Sequence, residues 1–233
     1  MFSVIFEFLP NEGRKEEYLH LAGGLRPILQ EIDGFVDNER FESRRRPGWM
    51  LSHSTWRDEK SVVRWRTQGE HHAAQGKGRF EIFGDYHLRV GDVIADTAPP
   101  REAPVLERRF DETEVGVAKL VTFSEITPKP GAAFAAEPDW LPARLGLDLT
   151  SGAVAEHDVL ASIYNAGKLV LLTSWKDTNA GKAWSPEKFD GVATLRHRKI
   201  RIVRDYGRFD RREAPQFYAD VGEAPAKHPA PAR

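Results

Sequence analysis

The chain has 233 residues, room for one large domain or for two of about 110 residues each. With 40% hydrophobic and 30% charged residues and a formal charge of −1, it has the composition of an ordinary globular protein and no global basic field for nucleic acid. The absence of cysteine removes disulfides, thiolate metal sites, iron–sulfur clusters and a cysteine nucleophile together, and a cytoplasmic location is expected.

In chain order, Met1 runs straight into Phe2-Ser3-Val4-Ile5-Phe6-Glu7-Phe8, which lacks the basic region, long apolar stretch and cleavage site of a secretory signal and reads as a strand. Nowhere do about 18 apolar residues run together, so no segment is expected to span a bilayer. Pro10 to Gly13 punctuates the strand. Tyr18, Leu21, Ala22, Leu25, Ile28, Leu29 and Ile32 then recur at three- to four-residue spacing and predict a helix with one buried face, bent at Gly23-Gly24 and Pro27. Asp33-Gly34 ends it, and Phe35–Arg44 with Trp49–Trp56 predicts a hairpin turned by Arg46-Pro47-Gly48. Asp58 is placed to cap a second helix carrying Val62, Val63 and Trp65. Tyr86, Leu88 and Val90 alternate with His87 and Arg89, as in a half-buried last strand.

The same order returns. Glu7, Pro10, Gly13 and Gly34 recur as Glu125, Pro128, Gly131 and Gly152 at an offset of 118 residues; Gly48, Trp56, Asp58 and Trp65 recur as Gly167, Trp175, Asp177 and Trp184 at 119. The predicted fold class is therefore α+β: two tandem ferredoxin-like βαββαβ units packed sheet to sheet as an intramolecular dimeric α+β barrel. Duplication has a physical reason, because a lone sheet of this size leaves one apolar face wet. The expected boundaries are 1–95 for the first unit, 96–114 for a linker rich in proline and charge, 115–210 for a degenerate second unit, and 211–233 for a C-terminal extension with a disordered end. In the second unit Pro138 and Pro142 interrupt the first helix, so its strands are expected to persist better than its helices.

Trp56-Arg57-Asp58 with Trp65 nine residues after the first tryptophan, then Glu70-His71-His72-Ala73-Ala74-Gln75, Gly78-Arg79 and Asp85-Tyr86, resembles the antibiotic biosynthesis monooxygenase family. That family comprises dimeric α+β barrels and includes quinone-forming and haem-degrading monooxygenases. The resemblance covers the first 95 residues, and Trp175-Lys176-Asp177 and Trp184 carry it into the second half, as a tandem fusion. It implies a pocket between helices and sheet, walled by apolar and aromatic side chains. It also implies oxidation of an aromatic, quinol or tetrapyrrole substrate by oxygen, often without a separate cofactor. In the haem-degrading branch the second tryptophan lines the pocket, a histidine ten residues later binds iron, and an asparagine on the first strand assists. Here those positions are Trp65, Gln75 and Phe6, so no cofactor is expected and haem is the lesser alternative.

The candidate catalytic residues are His71, as a base near working pH, and Trp65, which would shape the pocket. Phe6, Trp56, Gln75 and His53 are the candidate substrate-binding residues, although the recurrence of Trp56 as Trp175 also argues for packing. His71 and His72 point about 100° apart on a helix, so at most one faces the pocket. Strand alternation places His53 on the side of Leu51 and Thr55. His20, His87, His157, His197 and His228 have no metal-binding spacing, so no metal site is expected. Arg44-Arg45-Arg46 reads as a solvated turn, and the basic run Arg196 to Arg204 as a strand with Ile200 and Ile202 opposite Lys199 and Arg201. The leading functional expectation is a cofactor-independent monooxygenase acting on an aromatic or quinol-like small molecule. A non-catalytic small-molecule-binding or stress-associated accessory protein is the first alternative, and a haem-binding or haem-degrading monooxygenase the second. The expected partner is the small-molecule substrate, with no nucleic acid and no membrane; the pseudo-dimer is intramolecular, and further homo-oligomerisation stays open.

Overall fold

The computed structural model describes residues 1–135 and 137–222. The first repeat is β1 (Phe2–Pro10), α1 (Lys15–Glu31), β2 (Phe35–Ser43), β3 (Met50–Trp56), α2 (Glu59–Thr67), α3 (Gly69–Lys77), a π-helical turn (Gly78–Ile82) and β4 (Phe83–Asp96). The second is β5 (Leu120–Pro128), α4 (Trp140–Arg144), β6 (Val154–Ser162), β7 (Leu169–Trp175), α5 (Thr178–Ala183) and β8 (Val192–Gly207). Two repeated turns show why the same residues return. Gly34 and Gly152 take φ of +85° and +72°, and Gly48 and Gly167 take +80° and +77°, a region that disfavours any side chain. Asp58 caps α2 by accepting from the Ser61 amide, and its counterpart Asp177 caps α5 by accepting from the Asn179 and Ala180 amides.

Within each repeat the strands lie in the order β4-β1-β3-β2 and β8-β5-β7-β6. The two sheets do more than stack: they join through two seams into one closed eight-stranded barrel. One seam, β4 to β8, runs from His87 opposite Gly207 to Asp96 opposite Arg198. The other, β2 to β6, is short, pairing Phe41, Glu42 and Ser43 with Ser162, Ala161 and Leu160. Closure leaves no open sheet edge in the barrel.

Strand alternation sorts the side chains. Along β1, Ile5 points into a barrel core shared with Phe41, Leu51, Phe123, Leu172 and Ile200, while Phe2, Phe6 and Phe8 point outward beneath the helices. Buried charge inside the barrel is arranged twice. Arg89 pairs with Glu7 and donates to Ser174 Oγ of the other repeat at 2.6 Å; Arg198 pairs with Glu125 and donates to Thr55 Oγ1 of the other repeat at 3.1 Å. Burial opposes ionisation of Glu7, but Arg89 and Arg46 outweigh it and hold the carboxyl down to about 2.

One sequence expectation changes, and two segments known from the sequence only by position gain contacts. The arginine run is not a solvated turn: Arg46 pairs with Glu7 and, at 2.7 Å, with Asp158, Arg45 reaches Asp139 at 3.3 Å, and Arg44 donates to the Ala135 carbonyl at 2.9 Å. The hairpin tip lies against the second repeat, whose Asp139, Asp158 and Ala135 carbonyl meet it together with Glu7 of the first. The linker after β4 packs against the barrel: Ala103 is fully buried in the barrel core, and Asp92 accepts from the Arg108 and Arg109 amides at 2.7 and 3.0 Å. Finally, the chain after β8 turns back onto the first repeat, where the Arg208 and Ala219 carbonyls accept from Arg79 at 2.7 and 3.0 Å. The disordered end expected for the extension falls on residues 223–233, outside the described residues. Among the described residues, no helix is long and apolar enough to cross a membrane.

Candidate functional site

The outward face of the first sheet, α1, α2, α3 and the chain after β8 enclose a cavity of about 230 Å³. Its walls are mainly apolar, from residues such as Val4, Leu21, Leu25, Val62 and Leu88. Phe6, Trp56, Trp65, His71 and Gln75 all line it.

The local chain path makes the Trp65–His71 pair. After Thr67 the helix breaks at Gln68, whose backbone is extended at φ −63° and ψ 134°. The Gln68 side chain then caps α3 by accepting from the His71 amide at 2.8 Å. That break leaves the Trp65 carbonyl at a helix end, where it accepts from His71 Nδ1 at 2.8 Å. A carbonyl can only accept, so Nδ1 carries the proton and Nε2 keeps its lone pair. The two rings stack at 4.0 Å and 13°. Burial lowers the His71 pKa to about 4, and the His72 charge works in the same direction against the Trp65 carbonyl, so the imidazole is neutral at pH 7. His72 faces away, stacked on Tyr218 at 5.9 Å and within 3.2 Å of Gln216.

Phe6 stacks on Phe8 at 4.8 Å and meets Phe83 edge-on at 5.4 Å. Trp56 is fully buried, donates from Nε1 to Ser54 Oγ at 2.8 Å and crosses Phe35 edge-on, so it forms the cavity floor. Gln75, at the position of the iron-binding histidine in the haem-degrading pattern, accepts at Oε1 from Gln216 at 3.0 Å. His53 lies apart from this group. It points into the barrel with Leu51 and Thr55, shares a 2.8 Å hydrogen bond with Ser3 Oγ and stacks on Phe123 at 4.2 Å. Burial, with Arg198, Arg196 and Lys168 nearby, lowers its pKa well below the usual value, and it borders a separate, charge-lined cleft of about 640 Å³. Among the described residues, no group of three or more His, Asp or Glu is placed to hold a metal ion.

Several lining residues escaped the sequence reading. Asn38 donates to Ser52 Oγ at 3.0 Å and to the His53 carbonyl at 2.9 Å, and Arg40 donates to Tyr18 Oη at 3.0 Å. Arg211, Gln216 and Tyr218 come from the C-terminal extension, and no local pattern in that segment marks them as a pocket wall. Arg79 and Tyr86 did lie in the motif stretch that carries the family resemblance, yet nothing in their spacing assigns them a role.

In the second repeat the corresponding face carries a packed apolar cluster. Leu141, Leu145 and Leu147 pack with Trp175, and Trp184, the counterpart of Trp65, lies 5.7 Å from Trp175 and edge-on to His197 at 5.2 Å.

Comparison with known proteins agrees with this architecture. The family model for antibiotic biosynthesis monooxygenase matches residues 1–77. A protein from Pyricularia oryzae, jasmonate monooxygenase ABM, is 41% identical over 224 residues, covering 94% of this chain and 98% of its own. Two solved structures of aldoxime dehydratase, one of them in complex with butyraldoxime, are 12% and 11% identical with TM-scores of 0.53 and 0.51. Both cover 86% of this chain, and 80% and 79% of theirs; at that identity they speak to the fold alone. On the strength of the matched first repeat and of the relative aligned along nearly its whole length, this chain belongs to the antibiotic biosynthesis monooxygenase family.

Proposed function

We propose that this protein is a monooxygenase that binds a small, largely apolar, aromatic or quinol-like molecule in the first-repeat cavity and oxidises it with dioxygen without a separate cofactor. The observation that carries the reading is the Trp65–His71 pair, a flat aromatic wall beside a neutral imidazole whose Nδ1 is tied to a carbonyl and whose Nε2 is left to accept. A phenol or quinol packed on Trp65 could donate its hydroxyl hydrogen to Nε2. A pKa of about 4 makes His71 a weak base, suited to holding the hydroxyl and taking its proton as electrons leave the substrate for oxygen. A quinol can supply all the electrons itself: one oxygen atom enters the ring, the other leaves as water, and the product is a hydroxyquinone. No step is routed through haem, because Gln75 and Phe6 stand where that branch carries its histidine and asparagine.

Oxygen uptake with a quinol panel tests the reading. Trp65→Phe and His71→Ala are expected to lower turnover by about 10²-fold or more with an unchanged circular dichroism spectrum. Unchanged turnover in both variants sinks the site, and binding without any oxygen uptake favours the non-catalytic alternative. Activity that depends on added haemin, with a shifted Soret band, overturns cofactor independence.

A second reading has its own support, since the 41% identical relative is named for jasmonate. Jasmonate is a cyclopentanone carboxylate and not a quinol, so its hydroxylation draws two electrons from outside the substrate. Product analysis with jasmonic acid, with and without a reductant, separates the two readings.

A further inference from the structure

The cavity wall carries five arginines, Arg40, Arg66, Arg79, Arg204 and Arg211, against a single carboxylate, Glu59. Glu59 is already paired with Arg109 at 2.6 Å, and Arg40 is engaged by Tyr18. The rest gather where the C-terminal extension closes the cavity. Arg79, only 2% exposed, and Arg211 both donate to one neutral atom, Tyr86 Oη, at 3.0 and 2.9 Å. Their other acceptors are backbone carbonyls of Arg208, Ala219 and Gln216. Arg66 and Arg211 also sit near the Tyr206 hydroxyl. None of Arg66, Arg79 and Arg211 has a carboxylate partner among the described residues. Arg66 Nε, Arg79 Nε and Tyr218 Oη are buried with no hydrogen-bond partner among the described residues.

Converging like charges on a neutral oxygen in a buried place is unfavourable unless an anion joins them. Elsewhere in this barrel buried arginine is paired, as Arg89 is with Glu7 and Arg198 with Glu125. We infer that Arg66, Arg79 and Arg211, around Tyr86 and Tyr218, form a carboxylate-binding site at the extension end of the cavity, so that the ligand is a small apolar molecule bearing one carboxylate. The inference rests on the proposed use of this cavity and adds the class of its ligand. The planar fork of a guanidinium matches the two oxygens of a carboxylate, and the apolar remainder of the cavity takes the body of the molecule. The C-terminal extension thereby becomes part of the binding site, supplying Arg211 and Tyr218.

Isothermal titration of the full chain with jasmonic acid, methyl jasmonate, 1-naphthaleneacetate, its methyl ester and 1-naphthyl phosphate tests this. Each acid is expected to bind about tenfold or more tighter than its ester, the size of a charge-assisted hydrogen bond. Arg211→Gln should lower the acid-to-ester ratio several-fold, Arg211→Lys, which restores the charge without the fork, should recover part of it, and Arg212→Gln, at an exposed residue paired with Asp210, should leave it unchanged. Equal affinity for acid and ester, or equal loss in the Gln and Lys variants, overturns the carboxylate site. Tighter binding of the naphthyl phosphate replaces it with a phosphate site. If no acid binds while quinols still drive oxygen uptake, this inference fails and the proposed function stands. If neither occurs, both fail.

Discussion

The two repeats share a sheet and differ in what covers it. Phe2 faces Trp56 and Phe8 faces Met50 in the first, and Leu120 faces Trp175 and Ile126 faces Leu169 in the second, so the β1–β3 register is repeated pair for pair. The helices are not repeated. The first repeat has a 17-residue α1 and the pair α2 and α3; the second has helices of five and six residues. The barrel explains the difference. Every strand contributes to one closed core, so a change in either sheet is felt by both, whereas each helical layer covers chiefly its own outer face and borrows only a few side chains across the long seam, such as Val203 and Tyr206 in the first and Ile94 in the second. The second layer has collapsed onto its sheet with leucines and Trp184, and the first stands off and keeps a hollow.

The comparison breaks most severely if the mirrored ion pairs are unequal in kind. Replacing Arg89 with Met leaves Glu7 buried, and breaking such a pair costs about 3–5 kcal/mol. Each carboxylate keeps a second cation, Arg46 for Glu7 and Lys168 at 2.8 Å for Glu125, so Arg198→Met should cost somewhat less only because Glu125 is the more exposed of the two. Urea denaturation measures both; a loss confined to one variant would mean that the two halves do not share a core. Next in size is a paired truncation. Leu145→Ala opens a void in the filled layer and is expected to cost about 2–5 kcal/mol, while Leu21→Ala, beside an existing cavity, should cost about 1 kcal/mol. Equal losses would show that the first cavity is packed in solution.

How much of this was legible follows the same division. Strands, turns and caps were readable because glycine, proline and Asp58 act locally, and alternation alone puts His53 with Leu51 and Thr55. Trp65 and His71 were found through spacing on one helical stretch and through the family resemblance. Their contact was not readable, since it depends on the break at Gln68 that turns the His71 ring back to a carbonyl. The reach of Arg46 to Asp158 and of Arg211 to Tyr86 was hidden for another reason: each joins segments more than 100 residues apart, and no periodicity carries such information.

The effect that best separates the repeats is one of pH. His71 in the first and His197 in the second are both lowered to about 4, chiefly by burial. The unfolded chain binds these protons near the ordinary value of 6.5, so each group's contribution is full above that pH and is lost as pH falls toward 4. The slope is at most about 1.4 kcal/mol per pH unit for each group. His71→Gln and His197→Gln should therefore flatten the decline of Tm between pH 6.5 and 4.5 by similar amounts. Turnover should distinguish them, because His71 lines the cavity, whereas His197 bonds Ser124 at 2.8 Å and packs against Trp184. If His197→Gln depressed oxygen uptake as strongly as His71→Gln, the filled repeat would hold a working site, and the assignment of chemistry to the hollow one would be wrong.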